Sequence, residues 1–307
     1  METDQWIGRR LKLKDLQTLA AVCRAGSMSK AAIQLAMSQA AISKALLEME
    51  RALGFPVLER HASGVEPTVA GRVLLERSRA VFDELGEGLR EIDAFADPGR
   101  GHVRLGTTEA MLGVVTQLVG HLSETHPGIT LDVVIGDTAG LLDRMRAREL
   151  DLVLTRLLPS ERSDDLIAQP LFDESMAVLA SQEHRMAKKR QLRLADLMDE
   201  RWTLSPPELP LGQLVARIFA AEGLELPASA VMTVSIYLRL NLLHTGQFVT
   251  VLPRSIAAQS LVRSWIKVLP VALPAPPGKI ALLRLQRRKP SGATQTVWSA
   301  TRDVVRA

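Results

Sequence analysis

The sequence predicts a helical N-terminal region, one long helix, and a larger α/β region at the C-terminal end. Three short amphipathic helices fit within about forty residues near the start, and the pattern of one long helix runs over residues 71–95. Beyond residue 101, short apolar runs alternate with amphipathic helices, which is typical of a mostly parallel α/β architecture. The 307 residues suffice for two domains of roughly 150 residues. At 47% apolar and 23% charged residues, the chain is globular and too apolar for a disordered protein.

Composition limits the compartment and the partners. No apolar run approaches the ~18 residues that span a bilayer, and the polar, basic segment from Met1 to Lys14 lacks a signal-peptide pattern. The single cysteine, Cys23, has neither a disulfide partner nor zinc-ligand companions. We therefore expect a cytoplasmic protein without cofactor, metal or membrane partner. The net charge is +4, and residues 1–75 hold ten Lys/Arg against seven Asp/Glu.

Polar caps separate the three N-terminal helices. Gly26 ends the first, because glycine enters the left-handed conformation without strain. Ser27 or Ser29 caps the second, in which Lys30 faces outward, and the Ser38 hydroxyl caps the third.

The third helix has one apolar and one polar face. At ~100° per residue the inward stripe is Ile42, Leu46, Met49 and Leu53, and the outward side holds Ala40, Ser43, Lys44 and Leu47 with Gln39 at its edge. Such a small, basic face fits a DNA major groove, about 12 Å wide.

A hairpin follows this helix, as in a winged helix. We expect a strand over residues 55–58 and a turn over residues 60–64. Arg60 and His61 would then lie beside phosphates.

Residues 16–71 resemble the DNA-binding domain of LysR-type transcriptional regulators. The resemblance rests on spacing and order over more than fifty residues: Leu16, Ala20, Gly26, Ser27, Ala31, Ala32, Leu35, the run Ser38-Gln39-Ala40-Ala41-Ile42-Ser43, Leu46, Glu50, Leu53, Gly54, Leu58, Arg60, Pro67-Thr68 and Ala70-Gly71. Two positions depart from the family pattern: Ala40 replaces a usual proline, and Glu66 stands where a basic wing residue is common. The predicted DNA-contacting residues are Ser27, Ser29, Lys30, Ser38, Gln39, Ala40, Ser43, Lys44, Arg60 and His61.

The long helix suits the subunit-pairing linker that the resemblance implies. Leu74, Val81 and Phe95 fit one heptad position, and Leu85 and Ile92 fit the other. The turn-rich segment from Asp97 to Gly101 marks the domain boundary.

The predicted domains are therefore residues 1–70, 71–96 and 97–307. The predicted strands of the last domain are residues 103–106, 129–135, 150–155, 176–180, 201–204, 231–234, 248–252, 266–271 and 280–285. The resemblance implies that this domain has two lobes like a periplasmic binding protein, with lobe I at 101–171 and 263–307 and lobe II at 172–262.

Ligands of α/β sheets bind beyond the carboxyl ends of strands, so the polar residues there are the candidate effector site. They are Thr107, Thr108, Gly136, Asp137, Thr138 and Thr155, with Ser205, Thr245 and Gln247 closing from the other lobe. Each could equally be a helix cap or a turn residue without a ligand. Helix N-termini favour an anion, whereas the carboxylate of Asp137 favours a polyol, so a sugar and a small carboxylate both remain open.

Enzymatic interpretations have little support. Ser27-Met28-Ser29-Lys30 matches S-x-x-K of penicillin-recognising enzymes, but neither S-D-N nor K-T-G follows, so a helix cap explains it better. The competing hypothesis is an α/β solute-binding or enzymatic protein with an unrelated helical prefix.

The resemblance implies a ligand-responsive regulator whose partners are double-stranded DNA, a small-molecule inducer, further copies of itself as a dimer or tetramer, and RNA polymerase. The segment from Trp6 to Arg10, with residues 106–151, resembles the branch that includes the galactose-binding-protein and protocatechuate-pathway regulators.

Overall fold

A computed structural model describes residues 11–61, 64–96, 100–157, 163–259 and 261–306. The chain forms two compact units, Met1–Ala96 and Asp97–Ala307. The segment from Trp6 to Arg10 and most of the predicted hinge lie outside the described residues. In the described ranges, no helix is both long and apolar enough to cross a membrane.

Three helices open the N-terminal unit, and their ends follow the predicted caps. They are α1 (Leu13–Ala25), α2 (Met28–Gln34) and α3 (Gln39–Leu53). Gly26 ends α1 with a φ of 61°, and Ser27 is the N-cap residue of α2. The Ser38 hydroxyl accepts a hydrogen bond from the Ala41 amide at 3.1 Å, which fixes the start of α3.

The apolar faces of these helices form one core. The inward residues of α3, Ile42, Leu46 and Met49, are buried against Leu19 of α1 and Ala31 of α2. The predicted orientation of α3 is confirmed, because the same rotation leaves Gln39, Ala40, Lys44 and Leu47 exposed.

The hairpin starts later than its apolar residues predict. Strands β1 (Leu58–His61) and β2 (Gly64–Pro67) pair antiparallel, so Arg60 and His61 lie in a strand rather than in the turn. The predicted strand over residues 55–58 is therefore wrong. The amides of Val57 and Leu58 donate to the Glu50 carboxylate, at 2.8 and 3.2 Å, so this stretch is tied to the end of α3.

Helix α4 (Val69–Ala96) divides its apolar residues between two roles. Near its start, Leu74, Leu75 and Phe82 pack on the core of the N-terminal unit. Further along, Val81, Leu85, Leu89 and Ile92 are exposed. The predicted heptad seam is therefore wrong at Leu74, because Leu74 packs against the core of its own unit. The side chain of Phe95 lies outside the described residues.

The start of α4 lies so close to the chain before β1 that Gly71 leaves no room for a side chain. A Cβ at this position would overlap the Val57 carbonyl oxygen, which is backbone and has little freedom to move. We expect Gly71→Ala to destabilise the N-terminal unit by roughly 1–3 kcal/mol through overpacking. Denaturant unfolding measures this. Gly88→Ala, in open space on the same helix, is the control, and equal effects of the two changes would contradict the prediction.

The first lobe of the C-terminal unit is a five-stranded mixed sheet in the order β4-β3-β5-β12-β6. Its strands are β3 (Gly101–Thr107), β4 (Ile129–Ile135), β5 (Leu152–Leu157), β6 (Leu166–Glu174) and β12 (Gly278–Leu285). Strands β3, β4 and β5 are parallel, whereas β12 is antiparallel to both of its neighbours. Its helices are α5 (Leu112–Thr125), α6 (Thr138–Arg146) and α9 (Gly292–Arg306), with a short 3-10 turn, Glu109–Met111, before α5.

The second lobe repeats this plan in the order β11-β7-β10-β8-β9. Its strands are β7 (Met176–Ser181), β8 (Arg201–Leu204), β9 (Ser229–Met232), β10 (Phe248–Pro253) and β11 (Ile266–Val268). Helices α7 (Pro210–Ala221) and α8 (Ile236–His244) belong to this lobe. One face of the sheet packs with α7 around Trp202 and Phe219, and the other packs against Ile236 and Leu243 of α8.

The structure corrects two features of the predicted C-terminal region. Strand β6 was not predicted; it contains Pro170 and lies at the edge of its sheet, where proline is tolerated. The return to lobe I also comes later than predicted. Strand β11 pairs with β7 in the second sheet, so residues 263–268 belong to lobe II, and the chain crosses back before Gly278.

Candidate functional site

The exposed face of α3 presents short polar side chains at the N-terminal end of the helix. Gln39, Ala40 and Lys44 are exposed and Ser43 is half-buried. Lys44 lies 3.9 Å from Glu48, but both side chains are mostly exposed, so the pair is weak and the ammonium stays available.

Helix α2 and the wing flank this face. The Ser29 hydroxyl donates to the Gln39 side-chain oxygen at 3.1 Å, which orients the amide, and Lys30 is exposed on the same helix. On β1, Arg60 and His61 are exposed, with His61 3.7 Å from Glu59. Glu66 is also exposed on β2, so the wing carries acidic groups beside its basic ones.

In lobe I, six predicted effector residues meet at one edge of the sheet. Strands β4, β3 and β5 are adjacent and parallel, and Thr107 pairs with Ile135 on one side and Leu154 on the other. The residues that follow these strands therefore converge. The Thr138 and Thr155 hydroxyls are 2.7 Å apart, which joins the start of α6 to β5, a strand that continues two residues beyond the predicted end at Thr155.

Some of these residues have local structural roles. The buried Thr107 hydroxyl donates to the Leu154 carbonyl at 3.2 Å, and Asp137 caps α6 by accepting from the Gly140 amide at 2.9 Å. Thr108 is half-buried, and its hydroxyl makes no hydrogen bond within the described ranges. The Asp137 carboxylate is therefore explained by its role as a helix cap. The argument for a polyol ligand, which relied on this carboxylate, is weaker as a result.

In lobe II, Ser205 contacts a buried arginine that the sequence did not single out. Ser205 follows β8, and its hydroxyl accepts from Nη2 of Arg239 at 2.8 Å. Arg239 lies on α8 and is fully buried. Burial lowers the pKa of Arg239 to about 10, against the attraction of Glu109, so the guanidinium stays charged at neutral pH.

Glu109 joins the two lobes. It follows Thr108 in lobe I, and its two carboxylate oxygens accept from the amides of Ile236 and Tyr237, at 2.9 and 2.7 Å. These amides begin α8 in lobe II, where the helix dipole favours a negative charge. The two lobes are thus held together where Ser205 and Arg239 lie.

Thr245 and Gln247 are not brought to this edge. Gln247 accepts from Arg201 at 2.6 Å, and Arg201 is the first residue of β8, whereas Ser205 follows its last. Helix α8 runs back from Ser235 to Thr245, about 15 Å at 1.5 Å per residue, which separates the two ends. The predicted closure of the site by Thr245 and Gln247 is therefore corrected.

Arg239 had a signal in the sequence. Ile236, Arg239 and Leu243 are spaced i, i+3 and i+7, so the arginine shares the buried face of α8. Glu109 had none beyond its position in the turn after Thr108. Among the described residues, no group of three or more His, Cys, Asp or Glu side chains could hold a metal ion.

The geometry defines a class of protein: a winged helix-turn-helix unit linked by a long helix to a two-lobed α/β unit, with a hydrogen-bonded contact of Glu109 between its lobes. The profile described as "Bacterial regulatory helix-turn-helix protein, lysR family" matches residues 13–72, and that described as "LysR substrate binding domain" matches residues 96–306. The chain belongs to the LysR family of transcriptional regulators.

Individual relatives agree with this assignment. The HTH-type transcriptional regulator GbpR of Azospirillum brasilense is 30% identical over 250 residues, 81% of this chain and 73% of that protein. PcaQ of Agrobacterium fabrum is 25% identical over 300 residues, 97% of this chain and 96% of that one. These similarities confirm the suspected branch. A full-length OxyR variant from Pseudomonas aeruginosa, 22% identical, has the same fold with a TM-score of 0.66, over 96% of this chain and 95% of that one.

These matches decide between the two hypotheses. Both units match LysR regulators, so the helical prefix is a DNA-binding domain and the solute-binding or enzymatic alternative is not supported. In the S-x-x-K sequence, Ser27 is the N-cap residue of α2, although its side chain makes no capping hydrogen bond, and the Ser29 hydroxyl donates to Gln39.

Proposed function

We propose that α3 reads operator DNA through Gln39, Ala40 and Ser43, and that Lys44 contacts the phosphate backbone. The exposed, small-residue face at the start of α3 carries this proposal, since short side chains let the helix backbone approach base edges. The remaining members of the predicted set flank this face or cap its helices: Ser27, Ser29, Lys30, Ser38, Arg60 and His61.

Pairing of two subunits delivers two such faces to an inverted repeat. The exposed residues Val81, Leu85, Leu89 and Ile92 of α4 support a helix-to-helix contact between copies, as a dimer or within a tetramer. The proposed place of action is the cytoplasm, where DNA and RNA polymerase are found, and the chain itself catalyses no reaction.

The proposed effector site lies between the lobes, at the edge formed by Thr108, Thr138 and Thr155 in lobe I and by Ser205 in lobe II. Two contacts of polar side chains support this proposal, that of Thr138 with Thr155 in lobe I and that of Ser205 with Arg239 in lobe II. A ligand that binds one arrangement of the lobes more tightly than another shifts their equilibrium, and thereby the packing of subunits on DNA.

Salt dependence tests the DNA interface without knowledge of the operator. The full-length protein first selects its own sites from a random duplex library, and binding to a selected and a scrambled duplex is then measured over a range of salt. We expect Lys44→Ala to weaken both duplexes alike and to reduce the salt slope by about one unit, because one phosphate contact is lost.

Lys188→Ala is the matched control, because Lys188 is an exposed lysine in the C-terminal unit. It should leave the slope unchanged. An unchanged slope in Lys44→Ala, or an equal loss in Lys188→Ala, would remove α3 from the interface.

A further inference from the structure

Arg239 is a buried cation with unused hydrogen-bonding capacity. Its exposed fraction is 0%, yet the only hydrogen bond of its guanidinium among the described residues is the one from Nη2 to Ser205. Nε and Nη1 are buried without a partner in the same part of the chain. Leaving a charged donor buried and unpaired costs free energy, so proteins rarely keep one without a use for it.

Glu109 does not satisfy the hydrogen-bonding capacity of this arginine. Glu109 attracts it electrostatically, but both Glu109 oxygens accept from the amides that begin α8. The hydroxyl of Thr203, a residue of β8 two positions before Ser205, is also buried without a partner among the described residues. A charged donor and a hydroxyl therefore both lack partners in this part of lobe II.

The free donors suit a carboxylate. Arginine has five N–H groups, and each Nη2 hydrogen lies beside either Nε or Nη1. Whichever hydrogen Ser205 takes, the other completes a two-pronged edge that matches the two oxygens of a carboxylate. Since Glu109 already offsets part of the positive charge, a single negative charge fits better than two.

We infer that the effector is a small organic monocarboxylate whose carboxylate binds Arg239 beside Ser205, between the lobes. This inference rests on the proposed effector function and narrows it, because it decides between the sugar and the carboxylate that the sequence left open. Glu109 is a positioning residue, since it holds α8 of lobe II, and with it Arg239, against lobe I.

Matched ligand pairs test the carboxylate. Calorimetric titration of the full-length protein uses gluconate against glucitol, benzoate against benzyl alcohol, and lactate against 1,2-propanediol. We expect at least one acid to bind tenfold or more tightly than its alcohol. Binding of an alcohol as tightly as its acid, or no binding by any of the acids, overturns the inference.

Variants test the arginine. Arg239→Met should lose at least tenfold in affinity for the acid that binds, while its melting temperature stays the same or rises, because an unpaired buried charge is replaced by an apolar side chain. Arg239→Lys keeps the charge without the two-pronged edge and should also lose tenfold. Arg144→Met, at an exposed arginine paired with Glu149, is the control and should change neither quantity.

Further outcomes separate a structural role from failure of the proposed function. Unchanged acid affinity in Arg239→Met, with a melting temperature lowered by several degrees, would make Arg239 a structural residue and overturn the inference. If an alcohol binds and Thr155→Val abolishes that binding, the carboxylate inference is overturned. The proposed effector site between the lobes is then still supported. In each case the Lys44 salt slope reports separately on DNA binding.

Discussion

Asp151→Ala is expected to destabilise the C-terminal unit by about 3–5 kcal/mol, because the change breaks a buried ion-pair network. Asp151 precedes β5 and accepts from the backbone amide, Nε and Nη2 of Arg104, at 2.7, 3.1 and 2.7 Å. Nη1 of Arg288 lies 2.6 Å from the same carboxylate, and Arg288 is itself buried. Removing Asp151 takes away the carboxylate that lies against the buried Arg288 guanidinium.

Urea unfolding followed by circular dichroism and calorimetry measures this loss. Asp303→Ala is the control: Asp303 pairs with Arg302 at 3.7 Å on the surface, where an ion pair contributes about 0.2–1 kcal/mol at most. Similar losses for the two variants would mean that the network has no special role in stability.

The same network predicts a pH dependence. Burial alone raises the pKa of Asp151, but the hydrogen bonds and charges of Arg104 and Arg288 outweigh it and hold the pKa below its usual value. Because the folded pKa is the lower one, the stabilisation is complete above the unfolded value of about 4 and is lost as the pH falls through the folded pKa. The stability difference between the wild type and Asp151→Asn should therefore shrink below about pH 4, and a constant difference down to pH 2 would contradict this.

Ser43→Tyr should reduce affinity for a selected operator at least a hundredfold while the unfolding transition of the N-terminal unit is retained. Ser43 is half-buried on the outward side of α3, and a tyrosine there adds bulk where the helix must approach base edges. The loss should be much smaller for scrambled duplex, because phosphate contacts dominate non-specific binding.

Gln39→Ala is a milder change on the same face. Loss of one base contact of about 1–3 kcal/mol predicts a roughly ten- to hundredfold loss for the selected site and relaxed preference at one base pair. Gln117→Ala, at an exposed glutamine on α5, is the control. Undiminished operator affinity in both Ser43→Tyr and Gln39→Ala would exclude α3 as the reading helix.

Local chemistry explains why the N-terminal unit was predictable from sequence. Gly26, Ser38 and the Ile42 to Met49 stripe each act over a few residues, through a left-handed turn, a hydroxyl cap and a helical period. The wing failed at residues 55–58 because the Glu50 carboxylate, several positions earlier, takes the amides of Val57 and Leu58. The pattern of apolar residues in the sequence does not predict such a contact.

The site in the C-terminal unit was only half predictable for the same reason. Hydroxyls after parallel strands converge by topology, so the Thr138 to Thr155 contact follows from strand order. The prediction that Thr245 and Gln247 close the site failed, because the direction of α8 decides which end of lobe II these residues reach. Arg239 and Glu109 act across 34 and 127 residues of sequence, through Ser205 and Ile236, and only the folded chain shows those contacts.

The division of α4 limits what that helix can do alone. In its first turns, Leu74 and Ser78 pack within their own unit. The stretch with exposed apolar residues, which is free to contact a second copy, runs from Val81 to Ile92, about 18 Å at 1.5 Å per residue. A helix-to-helix contact as short as this one is weak by itself. If two copies pair through this stretch as proposed, other surfaces of the chain must add to the contact, and a change at those surfaces would alter the distance between the two α3 helices.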